Sequence, residues 1–260
     1  MKILFLGDIV GRSGRDLISS TLSNLKKEHN IDLVIANGEN AAHGKGLTYR
    51  LYNELLLAGI DCFTMGNHAF SKKEIFDNLD QMDRLVLPIN LITNDYGHEY
   101  VILNIKGIKV CILNVLGEAL MNDLASDPYI ATDEVLNKVD DLDVDIIFVD
   151  IHAETTAEKR LYAEYYKDRI DICVGTHTHV QTADEQMIDN LAYITDVGMC
   201  GPFYSIIGRD INELISKRIN HEKTHYTISE SDSILCAVII EIDEDKKKAI
   251  NIERIQIRPE

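Results

Sequence analysis

The first quarter of the chain repeats one pattern of apolar and polar positions three times. Apolar runs at 3–6, 32–36 and 61–65 end in Gly7-Asp8, in Gly38-Glu39-Asn40 and in Gly66-Asn67-His68. Between the runs, residues 15–29 and 48–58 carry apolar side chains at helical spacing. This alternation predicts β-α units, in which helices cross over a parallel sheet.

The rest of the chain adds antiparallel hairpins to this α/β pattern. A turn at Lys106-Gly107 and another at 243–246 separate pairs of apolar runs, so we expect a mixed sheet. Residues 117–128 have no periodicity, which predicts an irregular segment, either a plain surface excursion or a lid. No repeat or linker interrupts the chain, so we expect one domain over 1–260. The other predicted elements are helices at 72–83, 131–142, 155–167 and 209–221, strands at 85–87, 144–149, 170–174 and 191–195, and hairpins at 100–116 and 234–257.

Side chains able to bind metal follow the ends of five predicted strands. They are Asp8, Glu39, Asn40, Asn67, His152, His177 and His179. Open α/β sheets bind their ligands at the carboxyl ends of strands. Residues two apart point the same way on an extended segment, so we expect His177 and His179 to reach one site.

The mixture of carboxylate, imidazole and amide ligands suits divalent Fe, Mn or Zn. Seven ligands exceed the four of a structural zinc site, so the chain predicts two divalent metal ions, with Glu39 bridging them. Taken singly, an Asp or Asn after a strand is usually a turn or cap residue. A lone His152 would more often be a hydrogen-bonded histidine. Compatible residues at five strand ends favour the metal site.

His68 follows Asn67 directly and is predicted to face the substrate. Neighbours in an extended loop point in different directions, so Asn67 can bind metal while His68 serves as the catalytic acid. Histidine titrates near neutral pH, which suits it to protonate a leaving oxygen.

Charge and composition narrow the function further. The net charge of −17 argues against duplex DNA or RNA as a partner, because such binders need a basic surface. It also slows an anionic substrate, unless bound cations reverse the charge locally. Five scattered cysteines predict buried free thiols in a reducing compartment. With neither a signal peptide nor an apolar run of about 20 residues, we expect a cytoplasmic protein with no membrane partner.

Six blocks follow one another along the chain: Gly7-Asp8, residues 34–42, Gly66-Asn67-His68, His152-Ala153-Glu154, residues 174–185 and residues 192–199. In this order they closely resemble the YmdB-like family of bacterial phosphodiesterases, within the calcineurin-like metallophosphoesterase superfamily. Most of that superfamily has Asp-x-His and then Gly-Asp; here Val10 replaces that histidine and Glu39 the bridging aspartate. Ser13 departs from the family pattern, which usually has proline there.

The resemblance implies a fold, a ligand set and a substrate class. The fold would be a sandwich of two mixed β-sheets flanked by helices, in the αββα order of metallophosphoesterases. The substrate would be a small phosphodiester, 2′,3′-cyclic nucleotides above all. One ion would take Asp8, Glu39, Asn40 and His179, and the other Glu39, Asn67, His152 and His177.

The expected reaction is hydrolysis of the phosphodiester by a hydroxide bridging the two ions, with His68 as general acid. Two other interpretations stay open at this stage: a phosphomonoesterase or phosphoprotein phosphatase, and a metal-binding regulatory scaffold with little catalysis. The apolar strands of the last hairpin also allow a homo-oligomer.

Overall fold

A computed structural model of the chain describes residues 1–92, 97–121 and 125–259. The strands are β1 (Lys2–Leu6), β2 (Asp8–Ile9), β3 (Leu33–Asn37), β4 (Cys62–Thr64), β5 (Tyr100–Ile105), β6 (Ile108–Leu116), β7 (Ile146–His152), β8 (Ile172–Thr176), β9 (Gln186–Ile188), β10 (Leu191–Ile194), β11 (Met199–Pro202), β12 (Ser233–Asp243) and β13 (Lys248–Ile257). The helices are α1 (Gly11–His29), α2 (Tyr49–Ala58), α3 (Pro128–Val139), α4 (Thr156–Tyr166) and α5 (Ile211–Arg218).

These strands form two mixed sheets. The first has the order β2-β11-β12-β1-β3-β4, with β13 paired to β12. The second has the order β5-β6-β7-β8-β10-β9. In the first sheet β1, β3 and β4 run parallel, as the repeated β-α pattern predicts, while β12 is antiparallel to β1.

The sheets pack face to face with helices on both outer sides. On β1, Phe5 belongs to the core between the sheets, where its ring lies 5.4 Å from that of Phe148 on β7. Its neighbours Leu4 and Leu6 belong instead to the core under α1 and α2, as the two-residue period of a strand requires. Residues of α3 and α4 cover the other face of the second sheet. The predicted αββα sandwich is confirmed.

The sequence-based prediction is wrong between residues 72 and 83. A helix was expected there, but the segment forms two short 3₁₀ turns, Lys73–Ile75 and Leu79–Gln81. The Asn78 side-chain amide donates to the Glu74 carbonyl at 2.7 Å, taking the acceptor that an α-helix would offer to the Asn78 N–H. The expected strand at 85–87 is reduced to a parallel bridge from Leu85 to Phe63.

Elsewhere the differences concern boundaries and short strands. Both predicted hairpins are present, while β2, β9 and β11 were not predicted. The predicted excursion over 117–128 lies partly outside the described residues. All five cysteines are buried and free, as expected. Within the described ranges, no helix is long and apolar enough to cross a membrane.

Candidate metal centre

The seven predicted side chains meet where strand ends of the two sheets come together. Each lies in a short strand, at the last residue of a strand, or within three residues after one. Asp8 is in β2, Glu39 and Asn40 follow β3, Asn67 follows β4, His152 ends β7, and His177 and His179 follow β8.

The tightest group surrounds Nε2 of His152, whose side chain is fully buried. This nitrogen lies 3.2 Å from Oε1 of Glu39 and 3.1 Å from Oδ1 of Asn67. Nδ1 of His177 lies 3.0 Å from it. The ligand atoms of Glu39, His152 and His177 all fall within 4.8 Å of one another, which is close enough to hold one metal ion.

A second, looser group lies around Asp8. Nε2 of His179 is 3.3 Å from Oδ1 of Asn40 and 3.8 Å from Oδ1 of Asp8. The other Asp8 oxygen accepts a hydrogen bond from the His177 N–H at 3.2 Å. The structure thus brings His177 to Asn67 and His152, and His179 to Asp8 and Asn40.

Each of the three histidines has one ring nitrogen held by an acceptor outside the cluster. At neutral pH the Thr176 hydroxyl donates to the Asp150 carboxylate at 2.7 Å, so it accepts the bond from Nδ1 of His152 at 2.8 Å. Nε2 of His177 lies 3.0 Å from Glu154, and Nδ1 of His179 lies 2.9 Å from the Ile207 carbonyl. The nitrogens that remain face the cluster, which is the arrangement metal-binding histidines adopt.

The hydrogen bonding of the carboxylates shows whether this site suits a cation. Oδ1 of Asp8 is buried and has no hydrogen-bond partner among the described residues. A buried carboxylate oxygen without a partner is strongly unfavourable unless a cation or a donor reaches it. Asp8 and Glu39 supply negative charge and the histidines supply nitrogen lone pairs, so this donor set fits a divalent ion.

The pKa shifts of Glu39 and His152 show that each of these two groups stabilises the charge of the other. Burial lowers the pKa of His152, but the carboxylates of Glu39, Asp8 and Asp150 together outweigh burial and raise it to about 9. Burial also opposes ionisation of Glu39, yet His152 and His68 hold its pKa well below the usual range. A divalent cation bound at this site would take the place of the second proton of His152.

The chain matches known proteins over almost its whole length. The model of the YmdB-like protein family matches residues 4–255. The chain belongs to the YmdB-like family. It is 41% identical over 258 residues to the 2′,3′-cyclic-nucleotide 2′-phosphodiesterase of Bacillus subtilis (strain 168), covering 99% of this chain and 97% of that protein.

Two solved structures resemble this YmdB-like protein equally well. The crystal structure of a protein from Mycoplasma pneumoniae, described as a novel phosphatase, superimposes with a TM-score of 0.91 at 36% identity, covering 99% of this chain and 93% of the other. A hypothetical protein from Thermus thermophilus gives the same TM-score at 32% identity, covering 99% of each chain. The family resemblance is confirmed.

The backbone at His177 and His179 differs from the extended segment that was predicted. Both residues have positive φ angles, 98° and 65°, a region that residues other than glycine seldom adopt. The rings consequently serve different groups. Such backbone persists where surrounding structure enforces it, and here the Thr178 N–H donates to Asp196 at 3.0 Å.

The ion pair of Lys159 and Asp196, which holds this loop in place, was not predicted from the sequence. Lys159 of α4 and Asp196 are fully buried, and Nζ of Lys159 lies 2.7 Å from the Asp196 carboxylate. Lys159 occupies an ordinary position of an amphipathic helix, and only its burial marks it. A Cβ at Gly175 would collide with the Thr195 carbonyl and approach the Lys159 side chain, so the position preceding Thr176 requires glycine.

His68 lines the cavity at the metal centre and contacts its carboxylate. Nδ1 of His68 lies 3.2 Å from Oε1 of Glu39, and the backbone N–H of His68 donates to Oε2 of Glu39 at 3.0 Å. Nδ1 also lies 3.3 Å from the Asn40 amide nitrogen. These contacts fix the ring through Nδ1 and leave Nε2 for other partners.

The cavity measures about 300 Å³, and several of its lining residues were not predicted from sequence. Lys45, Arg209 and Tyr226 line it together with the histidines. The guanidinium carbon of Arg209 lies 4.6 Å from the centre of the Tyr226 ring, and Nε of Arg209 is buried without a hydrogen-bond partner among the described residues. Two cationic side chains thus line this cavity together with the carboxylates of Glu39 and Glu154, and Arg209 also pairs with Glu213 at 2.5 Å.

Proposed function

We propose that the protein is a metal-dependent phosphodiesterase that hydrolyses 2′,3′-cyclic nucleotides. The observation that carries this proposal is the set of three histidines, each held through one nitrogen, whose other nitrogens converge with Asp8 and Glu39. The relationship to the Bacillus enzyme, over nearly the full length of both proteins, supports the substrate class.

The two groups of side chains suggest how two divalent ions would be held. Glu39, Asn67, His152 and His177 would bind one ion, and Asp8, Asn40 and His179 the other, with Glu39 shared. Iron, manganese and zinc all suit these ligands. When bound, the ions supply Lewis-acid polarisation of the phosphate and activate the attacking water.

Binding of the substrate and protonation of the leaving group would be carried out by side chains of the protein. Lys45 and Arg209 would draw the phosphodiester into the cavity and orient it toward the metal centre. His68, held through Nδ1, would hand a proton from Nε2 to the ester oxygen that departs.

His68→Ala tests the acid role through the dependence on the leaving group. We expect kcat for 2′,3′-cyclic AMP to fall about 10²–10⁴-fold, because proton transfer contributes that much. For bis-p-nitrophenyl phosphate the loss should be far smaller, since p-nitrophenolate departs without protonation. Metal content, measured by mass spectrometry of the metal-loaded protein, should not change.

The matched control is His29→Ala, which removes a histidine at the end of α1, away from the cavity. It should leave both substrates and metal content as in the parent protein. Equal losses on both substrates in His68→Ala would assign His68 a structural role. Unchanged turnover of the cyclic nucleotide would remove it from the reaction.

One relative favours a second candidate, phosphomonoester hydrolysis. The Mycoplasma pneumoniae protein of known structure is described as a phosphatase. Comparing bis-p-nitrophenyl phosphate with p-nitrophenyl phosphate separates the two activities. A phosphodiesterase should turn over the diester with the higher kcat/KM, and the reverse order would favour the phosphatase.

A further inference from the structure

A second, larger cleft adjoins the cavity at the metal centre. It measures about 620 Å³ and lies between the start of α1 and the segment 226–230. Tyr226 lines both spaces, and the loop after β3 contributes to both, with Asn40 in the metal cavity and His43 in the cleft. The Gly11 N–H donates to the Asn40 carbonyl at 3.0 Å, which joins the cleft directly to the metal centre. We call this space the Tyr226 cleft.

The walls of the Tyr226 cleft are polar. Gly11, Arg12 and Ser13, the first three residues of α1, line it, and Nε of Arg12 lies 3.3 Å from the Asp16 carboxylate, which also lines it. Glu230 adds a second carboxylate to the wall. These carboxylates can accept hydrogen bonds from an uncharged group that carries donors.

Other lining groups match a base and a sugar. Ser13 lines the cleft, and its Oγ has no hydrogen-bond partner among the described residues. The Tyr226 ring and the Ile228 side chain provide apolar wall, on which a flat heterocycle can pack. Carboxylates such as Glu230 accept hydrogen bonds from ribose hydroxyls or from exocyclic amino groups.

We propose that the Tyr226 cleft binds the nucleoside of the substrate while the phosphate lies at the metal centre. This proposal rests on the proposed function and deepens it. The lining residues support it: Tyr226 belongs to both spaces, Lys45 lines the space for the phosphate, and Glu230 lines the neighbouring space for the uncharged part. A nucleotide spans both, and a simple diester fills the first alone.

The test compares a nucleotide with a small diester in the double variant Ser13→Ala/Glu230→Ala. For 2′,3′-cyclic AMP we expect KM to rise about tenfold at unchanged kcat, as for the loss of two hydrogen bonds to an uncharged group. For methyl p-nitrophenyl phosphate, KM and kcat should both stay the same. The matched control is Ser20→Ala/Glu28→Ala, the same two changes at exposed positions further along α1.

Equal changes for both substrates, or no change for either, would overturn the nucleoside site. A second measurement uses adenosine, which has no phosphate, with the purified protein in saturation-transfer NMR. Adenosine should bind the parent protein and the control but give a clearly weaker signal with Ser13→Ala/Glu230→Ala. If the parent protein does not hydrolyse the cyclic nucleotide, the proposed function fails and the adenosine result alone decides: no binding overturns the cleft as a nucleoside site.

Discussion

Two fully buried aspartates near the candidate metal centre differ in the number of hydrogen bonds that their carboxylates accept. Asp150, on β7, accepts from Thr176 at 2.7 Å, from Thr64 at 2.5 Å and from Asn37 at 3.0 Å. Asp8, on β2, accepts from the His177 N–H through one oxygen and has no partner for the other among the described residues. The carboxylate of Asp150 is fully hydrogen-bonded within the protein, whereas one oxygen of Asp8 remains available to a bound cation.

The difference separates what stabilises the protein from what would bind metal. Asn37 and Thr64 belong to the first sheet, while Asp150 and Thr176 belong to the second. Their hydrogen bonds join the two sheets directly below the metal centre and orient His152 through Thr176. Oδ1 of Asp8 makes no such connection among the described residues. Its buried charge therefore does not stabilise the fold and instead favours the binding of a cation.

Asp8→Asn should reduce activity more than any change at Asp150 and should barely affect stability. Asparagine keeps an acceptor for the His177 N–H but removes the charge, so metal binding should weaken and kcat/KM should fall by more than about 100-fold. In metal-free protein, the free energy of unfolding should stay the same or rise, because an unsatisfied buried charge is gone. Metal analysis, kinetics and urea unfolding check the three outcomes. Full metal content in Asp8→Asn would remove Asp8 from the metal site.

Asp150→Ala should reduce stability strongly and activity less than Asp8→Asn does. Three buried donors would lose their acceptor, so the free energy of unfolding should fall by about 3 kcal/mol or more. Activity should fall less than in Asp8→Asn, by about 10–100-fold, through loss of the support for His152. Urea unfolding measures the first effect, with Asp168→Ala at an exposed position as control. A variant as stable as the parent protein would contradict the role of Asp150 as the connection between the sheets.

Asp171, the residue immediately before β8, should have a smaller effect on stability that depends on pH. It is partly buried and accepts from the Ile147 N–H at 2.9 Å, and burial raises its pKa to about 6. In the unfolded chain its pKa is about 3.9, so between about pH 4 and 6 the folded state binds more protons than the unfolded state. Its contribution to the free energy of unfolding therefore falls as pH rises through this window.

Asp171→Asn should remove that dependence. Relative to the parent protein, the variant should gain stability between pH 4 and pH 6, by at most about 2 kcal/mol because the carboxyl is partly exposed. Urea midpoints of metal-free protein at pH 4, 5, 6 and 7 provide the measurement. A constant difference across this range would mean that Asp171 has an ordinary pKa in the folded protein.

Local patterns along the chain were enough to predict most of the fold. Apolar runs followed by glycine and polar residues placed β1, β3 and β4, and the two hairpins followed from alternation around short turns. The segment 72–83 misled this reasoning because its apolar spacing is helical, while the Asn78 side chain competes for the backbone. Side-chain competition of this kind depends on conformation and is not visible in periodicity.

The sequence by itself determined which side chains stand at strand ends, because a strand's end and the residues after it are local features. Tertiary structure decided which of those side chains meet. His177 and His179 point to different groups because long-range contacts, such as that of Thr178 with Asp196, hold their backbone in the left-handed region. The same long-range packing left Oδ1 of Asp8 unpartnered among the described residues and enclosed Asp150 in donors from both sheets. Burial and hydrogen-bond partners depend on residues distant in the chain, so no local pattern reveals them.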